Sequence, residues 1–288
     1  MKIAVSGATG FIGNRLVGHL SNYGHNVIPL GREFFAYDST KSLQEVIDDV
    51  DAVINLAGAP IDKRWSRKYK ESILESRIIT TRKIVHAINH ASQPKTLISA
   101  SAVGYYPSVG CYDEYSRVEN YTFLSYVCRL WEAEARKLNV KSRLVITRFG
   151  VVFSPMAGAL PRMIATKDFG FLTRIGAPER PMTWVDREDL VRALRFIAEN
   201  DDMEGVINIV APRFTLQHDF LAAASQKHNT RFIIPIHSLL LRIIMGGASE
   251  VLLHGACVSS SKLHDAGFKF YTESIHDFFA NNTITDKK

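Results

Sequence analysis

Residues 2–16 read K-I-A-V-S-G-A-T-G-F-I-G-N-R-L, and the G-A-T-G-F-I-G at 7–13 decides the fold. An apolar run of β type at 2–6 leads into it, and Ile12, Leu16, Leu20 and Tyr23 follow at helical spacing. Glycines at every third position between a strand and a helix have separate physical roles. Gly7 permits the tight turn out of the strand. Gly10 lacks the Cβ that would hold a pyrophosphate off the backbone, and Gly13 lets the helix pack close to the sheet. The amino end of such a helix offers phosphate its unpaired N–H groups and the positive end of its dipole. The stretch therefore predicts a dinucleotide-binding turn in which Gly7, Thr9, Gly10, Phe11, Ile12 and Gly13 touch the cofactor.

Outward from this turn, β-type runs alternate with helical patterns. Runs at 26–30, 51–58, 95–101, 142–150 and 206–211 read as strands, with a weaker one in F-F-A-Y at 34–37. Helical spacing covers 41–49, 67–91, 121–138 and 186–200. This alternation implies right-handed crossovers and an α/β fold, a doubly wound parallel sheet of Rossmann type. Residues 153–182 are broken by Gly158, Pro161, Gly170, Gly176, Pro178 and Pro181 and read as irregular. From 214 helices predominate, with I-I-P-I (233–236) and G-F-K-F (267–270) as short extended pieces. The expected organisation is a nucleotide-binding domain from 1–152 and 183–212, with a smaller C-terminal lid from 153–182 and 213–282. Residues 283–288 read as a frayed tail.

A chain of 288 residues with 46% hydrophobic side chains can bury a full core. No apolar run approaches the ~20 residues of a membrane span, so no membrane partner is expected. The start, Met1-Lys2-Ile3, lacks the layout of a secretion signal. Cys111, Cys128 and Cys257 are far apart and odd in number, which suggests neither a disulfide framework nor a metal site, and a reduced, cytoplasmic setting. The histidines are dispersed, so no metal is expected. The net charge is +6, but the basic residues are scattered among acids, and nucleic acid is not expected as a partner.

The tip of the second strand chooses the cofactor. An NAD site places a carboxylate there for the ribose hydroxyls. This chain has Gly31-Arg32, with Glu33 one step later. A guanidinium grips a 2′-phosphate bidentately, whereas Glu33 would repel it, so NADP(H) is the expected cofactor. The alternative reading of Arg32 is a solvated loop cation.

The G-x-x-G-x-x-G spacing resembles that of the extended short-chain dehydrogenase/reductase superfamily, and N-L-A-G at 55–58 is placed like its N-x-A-G element. The longer stretch N-L-A-G-A-P-I-D-K-R-W-S-R-K-Y-K-E-S-I-L-E-S-R is similar to one subfamily, the "epimerase family" proteins described as nucleoside-diphosphate-sugar epimerases. S-A-S-A-V-G-Y-Y (99–106), V-C-R-L-W-E-A-E-A (127–135), T-R-F-G-V-V (147–152), W-V-D-R-E-D-L-V-R-A (184–193) and the tail from 240 carry the likeness end to end. The resemblance implies a nicotinamide-binding core with Leu56, Ala57, Gly58, Arg77 and the Val151–Val152 turn beside the cofactor. It also exposes departures. Asp186 stands where a histidine is usual, F-L-T-R-I-G-A-P-E-R-P replaces a glycine-rich loop, and A-C-V-S-S-S replaces a segment with Arg and Pro. The substrate side has drifted.

The superfamily's reaction uses a Ser, and a Tyr acidified by a Lys four residues on. Ser101 occupies the serine's place, but Leu124 and Cys128 fall at the Tyr and Lys positions when Glu132 is aligned with the glutamate that trails the lysine. Tyr126 is rotated away by roughly 200° around the helix. The one Tyr-x-x-x-Lys in the chain, Tyr37…Lys41, lies towards the adenine end and is read as accidental. The catalytic candidates are then Ser101 and Tyr105, with Tyr106 beside them and Arg77 in the cation's role. Their alternative is packing under the lid. Two functions remain open. The first is an NADP(H)-dependent oxidoreductase or epimerase-like enzyme acting on a polar small molecule, with Arg64 available to an anionic one. The second is a non-catalytic NADPH-binding regulator or redox sensor. Monomer and homodimer are equally open.

Overall fold

A computed structural model describes residues 1–36, 42–236, 247 and 255–282. Its centre is a six-stranded sheet in which each neighbouring pair runs parallel. Numbered in chain order, the sheet strands are β1 (Lys2–Ser6), β2 (Asn26–Leu30), β3 (Ala52–Asn55), β4 (Thr96–Ala102), β6 (Arg143–Phe149) and β10 (Gly205–Ile209). Their spatial order is β10-β6-β4-β3-β1-β2. The chain thus leaves β1 for one edge and returns to its other side with β3. That reversal opens a crevice at the carboxyl ends of β1 and β3.

Helices cover both faces: α1 (Gly13–Asn22), α2 (Leu43–Asp49), α3 (Arg67–Asn89), α4 (Phe123–Ala135) and α6 (Arg187–Glu199). Successive strand residues point to opposite faces, and the sequence obeys this. Ile3 and Val5 pack with Leu16, Leu20, Leu190 and Ile197 from α1 and α6, whereas Ala4 joins Ile47, Ile84 and Ile88 from α2 and α3. Each fully buried Leu or Ile contributes roughly 1.5–3 kcal/mol. Burial on both faces explains why the strands read as continuous apolar runs.

A second core joins β7 (Val151–Phe153), α5 (Ala159–Met163), β8 (Phe171–Ile175), β9 (Trp184–Asp186), α7 (Gln217–His228) and α9 (Ile275–Asn281). Phe153, Trp184, Phe220 and Phe278 are its aromatic centre, with Phe153 stacked on Trp184 and Phe278 edge-on to it. β8 pairs in parallel with β11 (Phe232–Ile236), and β5 (Cys111–Tyr112) with β12 (Cys257–Val258), which precedes α8 (Ser261–Asp265).

Several expectations are corrected here. The F-F of F-F-A-Y lies in no strand; Arg32–Phe35 is a 3-10 turn, and Tyr37 lies outside the described residues. A strand would send the adjacent Phe34 and Phe35 to opposite faces, and the turn lets both pack on the α2–α3 core. F-L-T-R-I, expected to be irregular, is β8, because its partner β11 lies far along the chain. G-F-K-F is no strand; Phe268 is instead buried in the main core. Cys111 and Cys257 form a disulfide where none was expected. The bond arises because the β5–β12 pairing sets these cysteines opposite one another across 146 residues of chain, a proximity that spacing does not reveal. Lys41, the 240–246 and 248–254 portions of the tail, and 283–288 lie outside the described residues. Among the described residues no helix is long and apolar enough to cross a membrane.

The β1–α1 turn offers a test of the packing. A Cβ on Gly13 would sit 2.1 Å from the Gly7 carbonyl oxygen, whereas one on Gly18, in the same helix, would meet nothing within 4 Å. Gly13→Ala is expected to destabilise by about 1–3 kcal/mol, and Gly18→Ala to stabilise by about 0.5–1 kcal/mol. Thermal unfolding of both variants checks this; a neutral Gly13→Ala would contradict the close approach.

Candidate functional site

The glycine turn is built as a platform. Gly7 adopts φ +71°, and the Gly10 N–H closes the turn on the Gly7 carbonyl at 2.9 Å. Gly7 also backs onto the chain leaving β3, where its missing Cβ would lie 2.9 Å from the Leu56 carbonyl carbon and 3.1 Å from the Ala57 nitrogen. Over Gly10 the space is open; an added Cβ would approach only the Gly7 oxygen, at 3.1 Å. Thr9 and Gly10 are exposed. Ser42, Ser66, Thr122, Asp186 and Ser274 cap α2, α3, α4, α6 and α9 with their side chains. By contrast, α1 starts at Ile12, which supplies no side-chain cap. No side chain caps its first turn, and the Asn14 N–H returns to the Gly10 carbonyl at 3.0 Å. Phe11 forms one wall, with Gly158 against its ring and the Arg187 guanidinium 5.1 Å from its centroid.

Arg32 is exposed at the carboxyl tip of β2 and, among the described residues, makes no ion pair. The Glu33 carboxylate folds back over Gly31, 2.1 Å from where a Cβ would stand. In β3, Asn55 Oδ1 accepts from Ser6 Oγ at 2.6 Å and Nδ2 donates to Thr81 Oγ1 at 2.8 Å, tying the ends of β1 and β3 to α3. Arg77 projects from α3 beneath the same loop. Its Nη1 donates to the Ala59 carbonyl (3.1 Å), and its Cζ would be 2.8 Å from a Cβ on Gly58. Among the described residues no carboxylate pairs with it, and burial lowers its pKa below the ordinary guanidinium value. Val151 and Val152 are half-buried in β7, held through the Val151 N–H on the Thr183 carbonyl.

Across the crevice lies a buried polar chain. Ser101, only 2% exposed at the end of β4, donates Oγ–H to Glu132 Oε1 at 2.7 Å. Glu132 meets Arg148 bidentately, Nε and Nη2 each 2.8 Å from a carboxylate oxygen. Arg148 Nη1 donates to the Tyr106 hydroxyl at 2.9 Å, and that hydroxyl has the Asp113 carbonyl (2.9 Å) and Asn208 Oδ1 (3.0 Å) as its acceptors. The Arg148 guanidinium lies flat over the ring of Tyr105, Cζ to centroid 3.5 Å. Burial works to lower its pKa, but the hydrogen bonds and charge of Glu132 outweigh that and raise it, so the guanidinium stays charged. Tyr105 itself is half-buried, and among the described residues its hydroxyl makes no hydrogen bond.

On α4, Leu124 abuts Gly104, and Cys128 is buried with Sγ 3.7 Å from the Ala102 carbonyl. Burial, with Glu132 adding to it, pushes the Cys128 thiol up to about 11, so the sulfur is a neutral, inert group. Tyr126 is 48% exposed on the outer side of the helix. Tyr37 and Lys41 lie outside the described residues. Asp186, at the usual histidine's place, is a structural cap that accepts from the Glu188 N–H (3.1 Å) and Thr272 Oγ1 (3.0 Å). Sequence reasoning did not single out Arg148 or Asn208. The signal was present for Arg148, an arginine inside the otherwise apolar strand L-V-I-T-R-F.

Removing one member of the Glu132–Arg148 pair leaves a buried charge alone. Glu132→Leu is expected to cost about 3–5 kcal/mol, and the double change with Arg148→Met to recover most of it. Chemical denaturation of the three proteins checks the coupling; additive losses would contradict it.

Comparison with known proteins agrees with this architecture. The model of the NAD dependent epimerase/dehydratase family matches residues 3–210, and that of a domain of unknown function, DUF1731, matches residues 238–281. Epimerase family protein SSP1921 of Staphylococcus saprophyticus is 35% identical over 283 residues, covering 92% of this chain and 94% of that protein. Epimerase family protein YfhF of Bacillus subtilis is 33% identical over 304 residues, covering 100% and 99%. The crystal structure of human epimerase family protein SDR39U1 (isoform 2) with NADPH superposes with a TM-score of 0.88 at 28% identity over 98% of both chains. Glycine turn, parallel sheet and C-terminal segment thus come together in one lineage, and the chain belongs to the NAD-dependent epimerase/dehydratase family of extended short-chain dehydrogenases/reductases.

Proposed function

We propose that the chain binds NADP(H) across the carboxyl ends of β1, β2 and β3 and acts as an oxidoreductase or epimerase-like enzyme on a polar small molecule. The observation that carries this is the pairing of an uncapped α1 beneath an open Gly10 with an exposed arginine at the tip of β2. These residues fit the group. The α1 N–H groups and helix dipole receive the diphosphate, and Arg32 takes the 2′-phosphate in a bidentate grip. The NADPH in the human relative's crystal structure supports the same choice. Glu33 must then move its carboxylate away from that phosphate. When bound, the nicotinamide supplies the hydride donor or acceptor.

The chain's own residues would orient and charge the site. Arg77, lacking a carboxylate partner among the described residues, supplies a positive field below Gly58. Val151 and Val152 form an apolar wall. Tyr105 is the proton-bearing group, because its hydroxyl is left uncommitted while Tyr106 is bound by Arg148. Ser101 gives its proton to Glu132, keeping only acceptor lone pairs for a substrate hydroxyl.

A second reading has its own observation. Leu124 and Cys128 fill the positions of the usual proton-relay pair, and neither donates a proton at neutral pH. A protein that holds NADPH and reports to a partner needs no relay.

Titration of the purified protein with NADPH and NADH separates the cofactors. NADPH is expected to bind at least about tenfold tighter, one bidentate charge-assisted contact, and Arg32→Glu to erase the preference; tighter NADH binding in the unaltered protein would contradict the assignment. Turnover across a panel of carbonyl compounds and nucleotide sugars separates enzyme from regulator. Tyr105→Phe is expected to lower kcat by about 10²–10⁴-fold on any substrate found. Unchanged kcat would remove Tyr105 from the mechanism, and tight NADPH binding without turnover on the panel would favour the regulator.

A further inference from the structure

The Cys111–Cys257 bond joins two segments that both lean on the candidate site. Cys111 lies in the 107–122 loop that follows Tyr106, two residues before Asp113, whose carbonyl sits 2.9 Å from the Tyr106 hydroxyl. Cys257 lies in the segment that touches the approach to β9. There Thr183 Oγ1 donates to the Ala256 carbonyl, and Gly255 backs so closely on Pro181 that an added Cβ would be 2.0 Å from its carbonyl oxygen. The Thr183 carbonyl in turn accepts from the Val151 N–H. The disulfide therefore couples the Tyr105–Tyr106 side of the crevice to the Val151–Val152 side.

Beside the covalent link, the two segments share a small apolar cluster in which buried Ala256 and Val258 pack with Tyr106, Tyr112 and Val118. β5 and β12 are two residues each, and a lone two-stranded pair is marginal in water. Hydrogen bonds beside that cluster include Cys257 N–H to Gly110 O (3.3 Å), Ser259 N–H to Tyr112 O (2.9 Å), Asn208 Nδ2 to Ser259 O (2.9 Å) and Lys262 N–H to Glu114 Oε1 (3.4 Å). Cys111 is exposed, so a reductant can reach its sulfur. Cys128 is buried and takes no part. The glycine turn and Arg32 make none of these contacts.

We propose that Cys111–Cys257 is a reversible redox latch: oxidised, it pins the C-terminal segment to the Tyr105–Tyr106 loop; reduced, it frees that side of the crevice and leaves the nucleotide side unchanged. The co-reactant is a dithiol. One of its thiolates attacks the exposed Cys111 sulfur, the S–S bond breaks, and Cys257 leaves as a thiolate that takes a proton. The second thiol of the reductant then displaces Cys111, which also takes a proton. Two electrons and two protons pass to the protein, and the reductant leaves as its own disulfide. Which side of the crevice receives substrate follows from the function proposed above, and the measurements below do not depend on it.

The full chain is prepared in two states, with oxidised glutathione and with dithiothreitol. Denaturation with iodoacetamide, followed by mass spectrometry, is expected to show one alkylated cysteine, Cys128, in the first state and all three in the second. Hydrogen exchange in 107–122 and 255–260 is expected to quicken about tenfold on reduction, as a local tie is lost, with 1–31 unchanged. Cys257→Ser kept oxidising is expected to exchange like the reduced protein. Three alkylated cysteines in the oxidised state, or equal exchange in both states, would overturn the latch. NADPH titration of both states runs alongside: loss of binding in both would refute the proposed function while leaving the latch intact.

Discussion

Close approach at the β1–α1 turn is the constraint on which the rest depends. Because Gly13 has no Cβ, α1 can start directly against the Gly7 carbonyl, and because Gly7 has none, the turn can rest on the Leu56 backbone. These two contacts fix the amino end of α1 over the crevice between β1 and β3. They also leave open space above Gly10. A side chain at Gly7 or Gly13 would push the helix or the β3 exit loop outward. The N–H groups would then no longer converge on one point.

The opposite wall solves a different problem. On α4, Leu124 packs against Gly104, and Cys128, an uncharged thiol, lies against the Ala102 carbonyl. Positive charge is supplied from other elements: Arg77 from α3 beneath Gly58, and Arg148 from β6 beneath Tyr105. The two differ in balance. Arg148 is neutralised by Glu132 and acts as a shelf for an aromatic ring, whereas among the described residues Arg77 has carbonyl oxygens and a tryptophan face, 5.2 Å away, to offset its desolvation. An unbalanced, partly buried cation beside the loop that leaves β3 is electrostatically suited to an anionic or developing-anion partner.

How much of this could be read from the sequence depended on whether the determining contacts were local. The glycine turn, the sheet strands and the long helices follow from residues within a few positions of each other, and Lys2–Ser6, Asn26–Leu30 and the α3 span fell close to expectation. Features set by distant partners were missed. β8 is a strand because β11 pairs with it from some 60 residues on, and Cys111 meets Cys257 only through β12. The failed strand at F-F-A-Y shows local propensity overridden, since both phenylalanines gain more from one shared core than from an exposed sheet edge. In the site, Leu124 and Cys128 on α4 were legible from the sequence alone. The Ser101–Glu132–Arg148–Tyr106 chain was not, because it draws on β4, α4, β6 and the turn after β4.

The central claim is that a diphosphate rests against the amino end of α1, with Arg32 selecting the 2′-phosphorylated form. A crystal structure of the protein grown with NADPH tests it most directly. The expected result is diphosphate oxygens within hydrogen-bond distance of backbone N–H groups in 10–13, and the 2′-phosphate on the Arg32 guanidinium. A crevice filled by the protein's own side chains, or a nucleotide whose ribose faces Glu33 while Arg32 points to solvent, would contradict it.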